Sequence, residues 1–170
     1  QFRDVVAACR KTNPSMRFEL LVPDFRNIQE EALEILDPVR PFIFGHNLET
    51  VPELYAVARP GGEYARSLRL LSMARKRWPE IPIKTSLMLG LGETEDQVRQ
   101  VLIDLRTIGC DRLCLGQYLK PTKHSLPVKK FIHPDDFAKW RDEAKAMGFN
   151  WILSEPFARS SYHAEEPSHF

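Results

Sequence analysis

Four short apolar runs, each closing on a polar or glycine-bearing tip, constrain this chain more than any other feature. They are Phe18-Glu19-Leu20-Leu21-Val22-Pro23-Asp24, Phe42-Ile43-Phe44-Gly45-His46-Asn47-Leu48-Glu49, Leu87-Met88-Leu89-Gly90-Leu91-Gly92-Glu93 and Leu113-Cys114-Leu115-Gly116-Gln117-Tyr118. Amphipathic stretches separate them. Near-continuous apolar strands alternating with helices predict a parallel sheet covered on both faces. In such sheets the chemistry sits at the carboxyl ends of the strands, where these tips fall.

Local signals set the order of elements. A helix over 2–10 puts Val5, Val6 and Cys9 on one face, and Asn13-Pro14-Ser15 stops it. The first strand covers 17–23. Asn27 is a candidate cap for a helix over 28–36 with Ile28, Ala32, Ile35 and Leu36 as its apolar stripe. The second strand is 42–44. Thr50 is a candidate N-cap for a helix over 51–58, and Arg59-Pro60-Gly61-Gly62 breaks it. A helix over 63–77 carries Leu68, Leu71 and Ala74, and Trp78-Pro79 closes it. The third strand covers 83–89. Thr94 and Gln97 form a capping box for a helix that buries Val98, Val101, Leu102 and Leu105 and stops at Gly109. A fourth strand at 112–115, a polar loop over 117–133, a helix over 135–147 and a short strand at 149–153 follow.

The chain has 170 residues, enough for one domain with a sizeable core. A closed eight-stranded barrel typically takes about 250 residues. The β/α count therefore favours an open half barrel with right-handed crossovers. With 24 basic and 23 acidic residues, bulk charge selects no partner, and no basic stripe with interleaved aromatics supports nucleic-acid binding. The densest basic stretch, Lys120, Lys123, Lys129 and Lys130 with His124, reads as a solvated loop or as a docking surface. No run of about 18 apolar residues is present, so no membrane span is expected. Cys9, Cys110 and Cys114 are odd in number, which argues against a disulfide scaffold; Cys110 and Cys114, four apart, read as buried structural thiols, or as a metal pair if they share one helix. The first residues hold no signal-peptide core and no initiator Met, which suggests a processed or partial protein.

Three stretches carry candidate chemistry. Gly90-Leu91-Gly92-Glu93, between a strand and a helix, would let a ligand approach the backbone near a helix N-terminus, or it is only a tight turn. In strand alternation Asn47 and Glu49 face the same way and offer an amide and a carboxylate to a vicinal diol such as a ribose. The alternative for that pair is capping of the next helix, and His46 would point elsewhere. Arg159-Ser160-Ser161-Tyr162-His163 is a ligand-type set of side chains, or a solvated terminus.

Together these segments resemble the lipoyl synthase family of radical S-adenosylmethionine enzymes. The resemblance rests on Val-Pro-Asp-Phe at 22–25, His-Asn-Leu-Glu-Thr-Val at 46–51, Gly-Leu-Gly-Glu at 90–93, Gly-Gln-Tyr-Leu at 116–119, Pro-Thr at 121–122 and Arg-Ser-Ser-Tyr-His at 159–163. The related biotin synthases share the second and third of these in similar form but lack the last. The resemblance implies an α/β fold: the later half of a partial (β/α)6 TIM-type barrel with parallel strands over 1–153, and a C-terminal extension over 154–170. It implies that Asn47 and Glu49 hold the ribose and methionine part of S-adenosylmethionine. Ser86, Met88, Gly90 and Glu93 match the strand that supports the adenine. Ser160 is implied as an oxygen ligand of an auxiliary iron–sulfur cluster.

The activity implied is insertion of two sulfur atoms into a protein-bound octanoyl chain. The full-length enzyme would use S-adenosylmethionine and two [4Fe-4S] clusters. Neither of the family's cysteine triplets is in this chain, so their ligands are expected upstream of Gln1, and the chain alone is expected to be inactive. Implied partners are an octanoylated lipoyl carrier (the glycine cleavage H protein or a 2-oxoacid dehydrogenase lipoyl domain) and an iron–sulfur cluster carrier. The expected compartment is the cytoplasm of a bacterium, or the mitochondrion in a eukaryote. Two other readings are biotin-synthase-like sulfur insertion and a non-catalytic module that binds a lipoyl carrier through the basic loop 120–130.

Overall fold

The computed structural model describes residues 1–161. In chain order the elements are α1 (Phe2–Thr12), β1 (Glu19–Leu21), α2 (Gln29–Leu36), β2 (Ile43–Gly45), α3 (Tyr55–Ala58), α4 (Tyr64–Arg77), β3 (Ile83–Leu89), α5 (Glu95–Thr107), β4 (Arg112–Gln117), α6 (Pro134–Ala146) and β5 (Trp151–Ser154). Single 3-10 turns at Asp37–Val39 and Pro52–Leu54 join some of them. The five strands form one parallel sheet in sequence order, β1-β2-β3-β4-β5. All strand carboxyl ends therefore meet at one end, as the tips predicted. Among the described residues β1 and β5 are edges, so the barrel is open.

The two faces of the sheet differ in chemistry. Leu20, Phe44, Ile83, Leu87, Leu89, Leu113 and Leu115 belong to the apolar core that the helices cover. Trp78, fully buried, stacks edge-on against Phe42 with ring centroids 5.2 Å apart. The alternate positions Glu19, Lys84, Ser86, Met88, Arg112, Cys114 and Gly116 lie on the opposite face. The period of two along each strand enforces this division.

Several local expectations fail for nearby tertiary reasons. α1 buries only Val6, while Val5 is exposed and Cys9 half-buried. α2 starts after Ile28 with no side-chain cap, so Asn27 does not cap it. Its buried face is Gln29, Ala32, Leu33 and Leu36, and Ile28 and Ile35 are exposed. The rotation lets the Gln29 amide donate to the carbonyls of Asp24 (2.9 Å) and Arg66 (3.0 Å), tying α2 to α4. Thr50 does not cap α3; a 3-10 turn intervenes, and the Thr50 hydroxyl is buried without a partner. β1 is shorter than expected and β4 longer. The Thr94/Gln97 capping box forms as expected, at 3.2 Å and 2.9 Å, and Gly109 ends the helix region at φ 77°.

Candidate functional site

The segment after β2 is not a regular strand. The His46 N–H still donates to the Lys84 carbonyl at 3.1 Å, while its ring tucks inward, buried, with Nδ1 2.9 Å from the Val22 carbonyl oxygen. Burial disfavours its cation and holds its pKa below the usual value. Leu48 drops into the core, its N–H on the Thr85 hydroxyl at 3.2 Å. The chain then rejoins β3 at Glu49, whose N–H donates to Ser86 (3.0 Å) and whose carbonyl accepts from Met88 (2.8 Å). Glu49 takes a left-handed backbone, φ 69°, which a non-glycine residue adopts only where its surroundings enforce it. Asn47 and Glu49 do meet, but through this detour rather than through strand alternation: the Asn47 side chain hydrogen-bonds the Glu49 carboxyl. Burial pushes that carboxyl's pKa up, and the Asn47 hydrogen bond and Arg59 pull against it.

Ser160 reaches the same place from the far end of the chain. Its Oγ lies 3.5 Å from Asn47 Nδ2. The segment that carries it crosses the polar face of the sheet. The Gln117 N–H donates to the Pro156 carbonyl at 3.0 Å. The Ala158 carbonyl sits where a side chain on Gly116 would begin, 2.3 Å from an added Cβ. That close approach is why glycine is needed in Gly-Gln-Tyr-Leu. Tyr162 and His163 lie outside the described residues.

Glu49 and Met88 line a cleft of about 340 Å³ with Leu91, Tyr118, His124 and Leu126. That size is at the lower end for small-molecule sites, which run from roughly 300 to 1,000 Å³. A carboxyl, a thioether, an aromatic ring and an imidazole on its wall suit a ligand with both hydroxyls and a flat apolar ring. Ser86 is buried beside it on the polar face, hydrogen-bonded to the Cys114 thiol.

Gly90 and Glu93 are not brought into this cleft. The Glu93 carboxylate turns back on its own turn and accepts from the N–H groups of Gly90 (2.5 Å), Leu91 (2.9 Å) and Gly92 (3.0 Å). The donors expected to meet a ligand are thus taken by the protein itself. Gly90, at φ 103°, is pressed by the Lys130 carbonyl and the Gln117 amide, each about 2.3–2.4 Å from where a Cβ would lie. The two residues shape a separate, smaller cleft of about 60 Å³ beside Lys130, Asp136 and Trp140.

Sequence reasoning singled out Gln117 only within Gly-Gln-Tyr-Leu, and it missed Lys84. Gln117 Nε2 donates to Leu89, Tyr118 and Lys130 at 3.0–3.1 Å, and its Oε1 accepts from Ile132 at 2.9 Å, so one side chain pins the loop after β4. Lys84 is 2% exposed and ion-paired to Glu19 at 2.8 Å. A lysine as the one charge in a buried strand is the signal that would have flagged it.

The iron–sulfur ligands are a different matter. Among the described residues no group of three or more His, Cys, Asp or Glu is placed to hold a metal. Cys110 is fully buried with Sγ on the Ile83 carbonyl at 3.4 Å, and burial raises its pKa to about 12. Cys110 and Cys114 are buried, and this chain's described residues do not fit a cluster by themselves. Among the described residues no helix is long and apolar enough to cross a membrane.

A parallel α/β sheet with a ligand-sized cleft at its carboxyl end defines a barrel-type enzyme domain. Residues 2–105 match the radical SAM superfamily, and the chain belongs to it. Its fold resembles Streptococcus suis SuiB bound to S-adenosylmethionine (TM-score 0.68, 12% identity, 99% of this chain and 39% of that one). It also resembles methylornithine synthase (TM-score 0.64, 12% identity, 99% and 58%). Within the superfamily it is similar to curated lipoyl synthases: 51% identical to that of Thiobacillus denitrificans over 97% of this chain and 53% of the relative. The values are 49%, 96% and 51% for Klebsiella pneumoniae, and 49%, 99% and 50% for Bordetella pertussis. The chain spans about half the length of these relatives.

Proposed function

We propose that this chain is part of a lipoyl synthase, which inserts two sulfur atoms into a protein-bound octanoyl chain in an S-adenosylmethionine-dependent radical reaction. The observation that carries the reading is the convergence of Asn47, Glu49 and Ser160 at one end of the sheet, in a chain about half identical to lipoyl synthases. Cutting an aliphatic C–H bond is beyond acid–base side chains, so the hard chemistry belongs to a cofactor-derived radical.

This chain's own residues bind and orient. Glu49, from the cleft wall, and Asn47 beside it take the ribose and methionine part of S-adenosylmethionine. Ser86 and Met88 support its adenine. Gly90 and Glu93 act at one remove, by setting the turn that ends β3. The Ser160 hydroxyl would be an oxygen ligand of an auxiliary cluster, with the cysteine ligands of both [4Fe-4S] clusters coming from the rest of the full-length enzyme. The barrel would comprise 1–153 and the extension 154–170. The octanoyl substrate arrives on a lipoyl carrier, the glycine cleavage H protein or a 2-oxoacid dehydrogenase lipoyl domain, and an iron–sulfur carrier loads the clusters. The likeness to bacterial relatives supports action in the cytoplasm.

The test uses full-length protein reconstituted anaerobically with iron and sulfide. It is given S-adenosylmethionine and octanoylated carrier protein, and the lipoyl product is read by mass spectrometry. Wild type should form product. Ser160→Ala should still cleave S-adenosylmethionine while product formation collapses. Normal turnover by S160A would remove the ligand role, and no lipoyl product from wild type would remove the function.

A further inference from the structure

A charged side chain 2% exposed in the middle of a sheet needs a reason. Lys84, on β3, meets three groups from distant parts of the chain. Its Nζ donates to Glu19 Oε2 on β1 at 2.8 Å. It donates to the main-chain carbonyl of Ser160. It also stands 4.7 Å from the ring centroid of Trp151 on β5.

The segment 155–161 is seated on the sheet by the Glu155 N–H on Leu115, the Gln117 N–H on Pro156, Gly116 under Ala158, and Lys84 on Ser160. The first three are backbone contacts that do not depend on a charge. Of these four, only Lys84 grips the residue whose hydroxyl approaches Asn47. An ammonium has several donors, so one can hold Glu19 while another holds the carbonyl. Glu19 fixes where the ammonium stands, and the ammonium fixes where Ser160 stands.

We infer that Lys84, anchored by Glu19, is a positioning residue that locks the main chain at Ser160 onto the sheet, and so sets the Ser160 hydroxyl beside Asn47 and Glu49. Lys84 alternates with Ser86 and Met88 on the same face of β3. The strand that supports the small-molecule cleft thus also holds the terminal segment. The consequence for catalysis rests on the proposed role of Ser160; the tether itself does not.

Hydrogen exchange on the full-length protein separates the two. Lys84→Met keeps length and removes the donor. Because it takes the lysine from the half-buried Glu19, it is paired with the double variant Lys84→Met/Glu19→Gln. In both, exchange at the amides of Ala158 and Gln117 should quicken about tenfold, the scale of one lost hydrogen bond to a charged group. Exchange at Phe44, whose N–H donates to Pro82 within the sheet at 2.9 Å, should stay at the wild-type rate. Ser160→Ala keeps the carbonyl and should exchange like wild type.

Unchanged protection of Ala158 and Gln117 in the double variant overturns the tether. So does an equal loss at Phe44, which would make Lys84 a general stabiliser. Product formation is read in parallel. A fully active S160A beside a loosened K84M segment leaves the tether standing and removes the reading of Ser160.

Discussion

The Asn47 amide nitrogen lies 3.5 Å from the Ser160 hydroxyl, across 113 positions of sequence. One end of that pair hangs from the detour after β2, the other from a segment laid over β4. The same Asn47 side chain also binds the Glu49 carboxyl. Asn47→Ala removes both bonds. The Glu49 carboxyl should then titrate higher still, because the hydrogen bond that opposed its desolvation is gone. An NMR titration of carboxyl-labelled glutamate reads this. Affinity for S-adenosylmethionine should fall about tenfold, the scale of a lost hydrogen bond to a charged group, as measured by equilibrium binding.

Gly116→Ala tests the seat of the terminal segment. The new methyl would stand 2.3 Å from the Ala158 carbonyl oxygen, and both groups belong to backbone. The segment must lift. We expect a loss of about 1–3 kcal/mol in urea unfolding, with faster exchange of the Gln117 amide.

Gln117→Leu tests the pin on the loop after β4. The Tyr118 and Lys130 carbonyls and the Ile132 N–H lose this partner at once, while the Leu89 carbonyl keeps the Tyr118 N–H. Each buried group left unsatisfied costs about 1–3 kcal/mol, so a total loss of at least about 3 kcal/mol is expected. The urea midpoint should drop accordingly.

His46 sets a pH dependence. Its folded pKa lies below the ordinary value of 6.5 because burial disfavours the cation. Above that ordinary value the ring is neutral in both states, and its contribution to stability is complete. As pH falls through it, the unfolded chain takes up the proton first, and stability declines until the lower folded pKa is passed. The slope is at most about 1.4 kcal/mol per pH unit. The difference between wild type and His46→Asn, measured by urea unfolding at about pH 7.5 and about pH 5.5, should shrink on the acid side. A constant difference would mean the ring is not desolvated.

Thiol reactivity should follow burial. Cys110 and Cys114 are fully buried with raised pKa values, burial being the main cause, while Cys9 is half-buried on α1. Native alkylation with peptide mapping should label Cys9 first. Cys110 and Cys114 should react only on unfolding.

Much of the fold was legible because its signals are local. β3 ends in the apolar run Leu87-Met88-Leu89 just before Gly90, and its bounds were read correctly. The Thr94/Gln97 box and Gly109 delimit α5 within a few residues of themselves. The alternation of such strands with helices determined a parallel sheet and the end at which a site would gather. The capping expectations at Asn27 and Thr50 failed because the chain there answers to more distant partners, Gln29 reaching Arg66 and Leu48 reaching Thr85 and Tyr55.

By itself, then, the sequence determined the class of fold and the residue types offered at the strand ends. Tertiary structure alone decided which of those residues meet. Glu49 reaches the cleft through a left-handed turn held by β3. Glu93 satisfies its own turn. Ser160 is delivered by contacts with Gly116, Gln117 and Lys84. Periodicity and capping act within about one or two turns of chain. The pairing of groups more than a hundred residues apart depends on the path of the whole sheet, which no local pattern encodes.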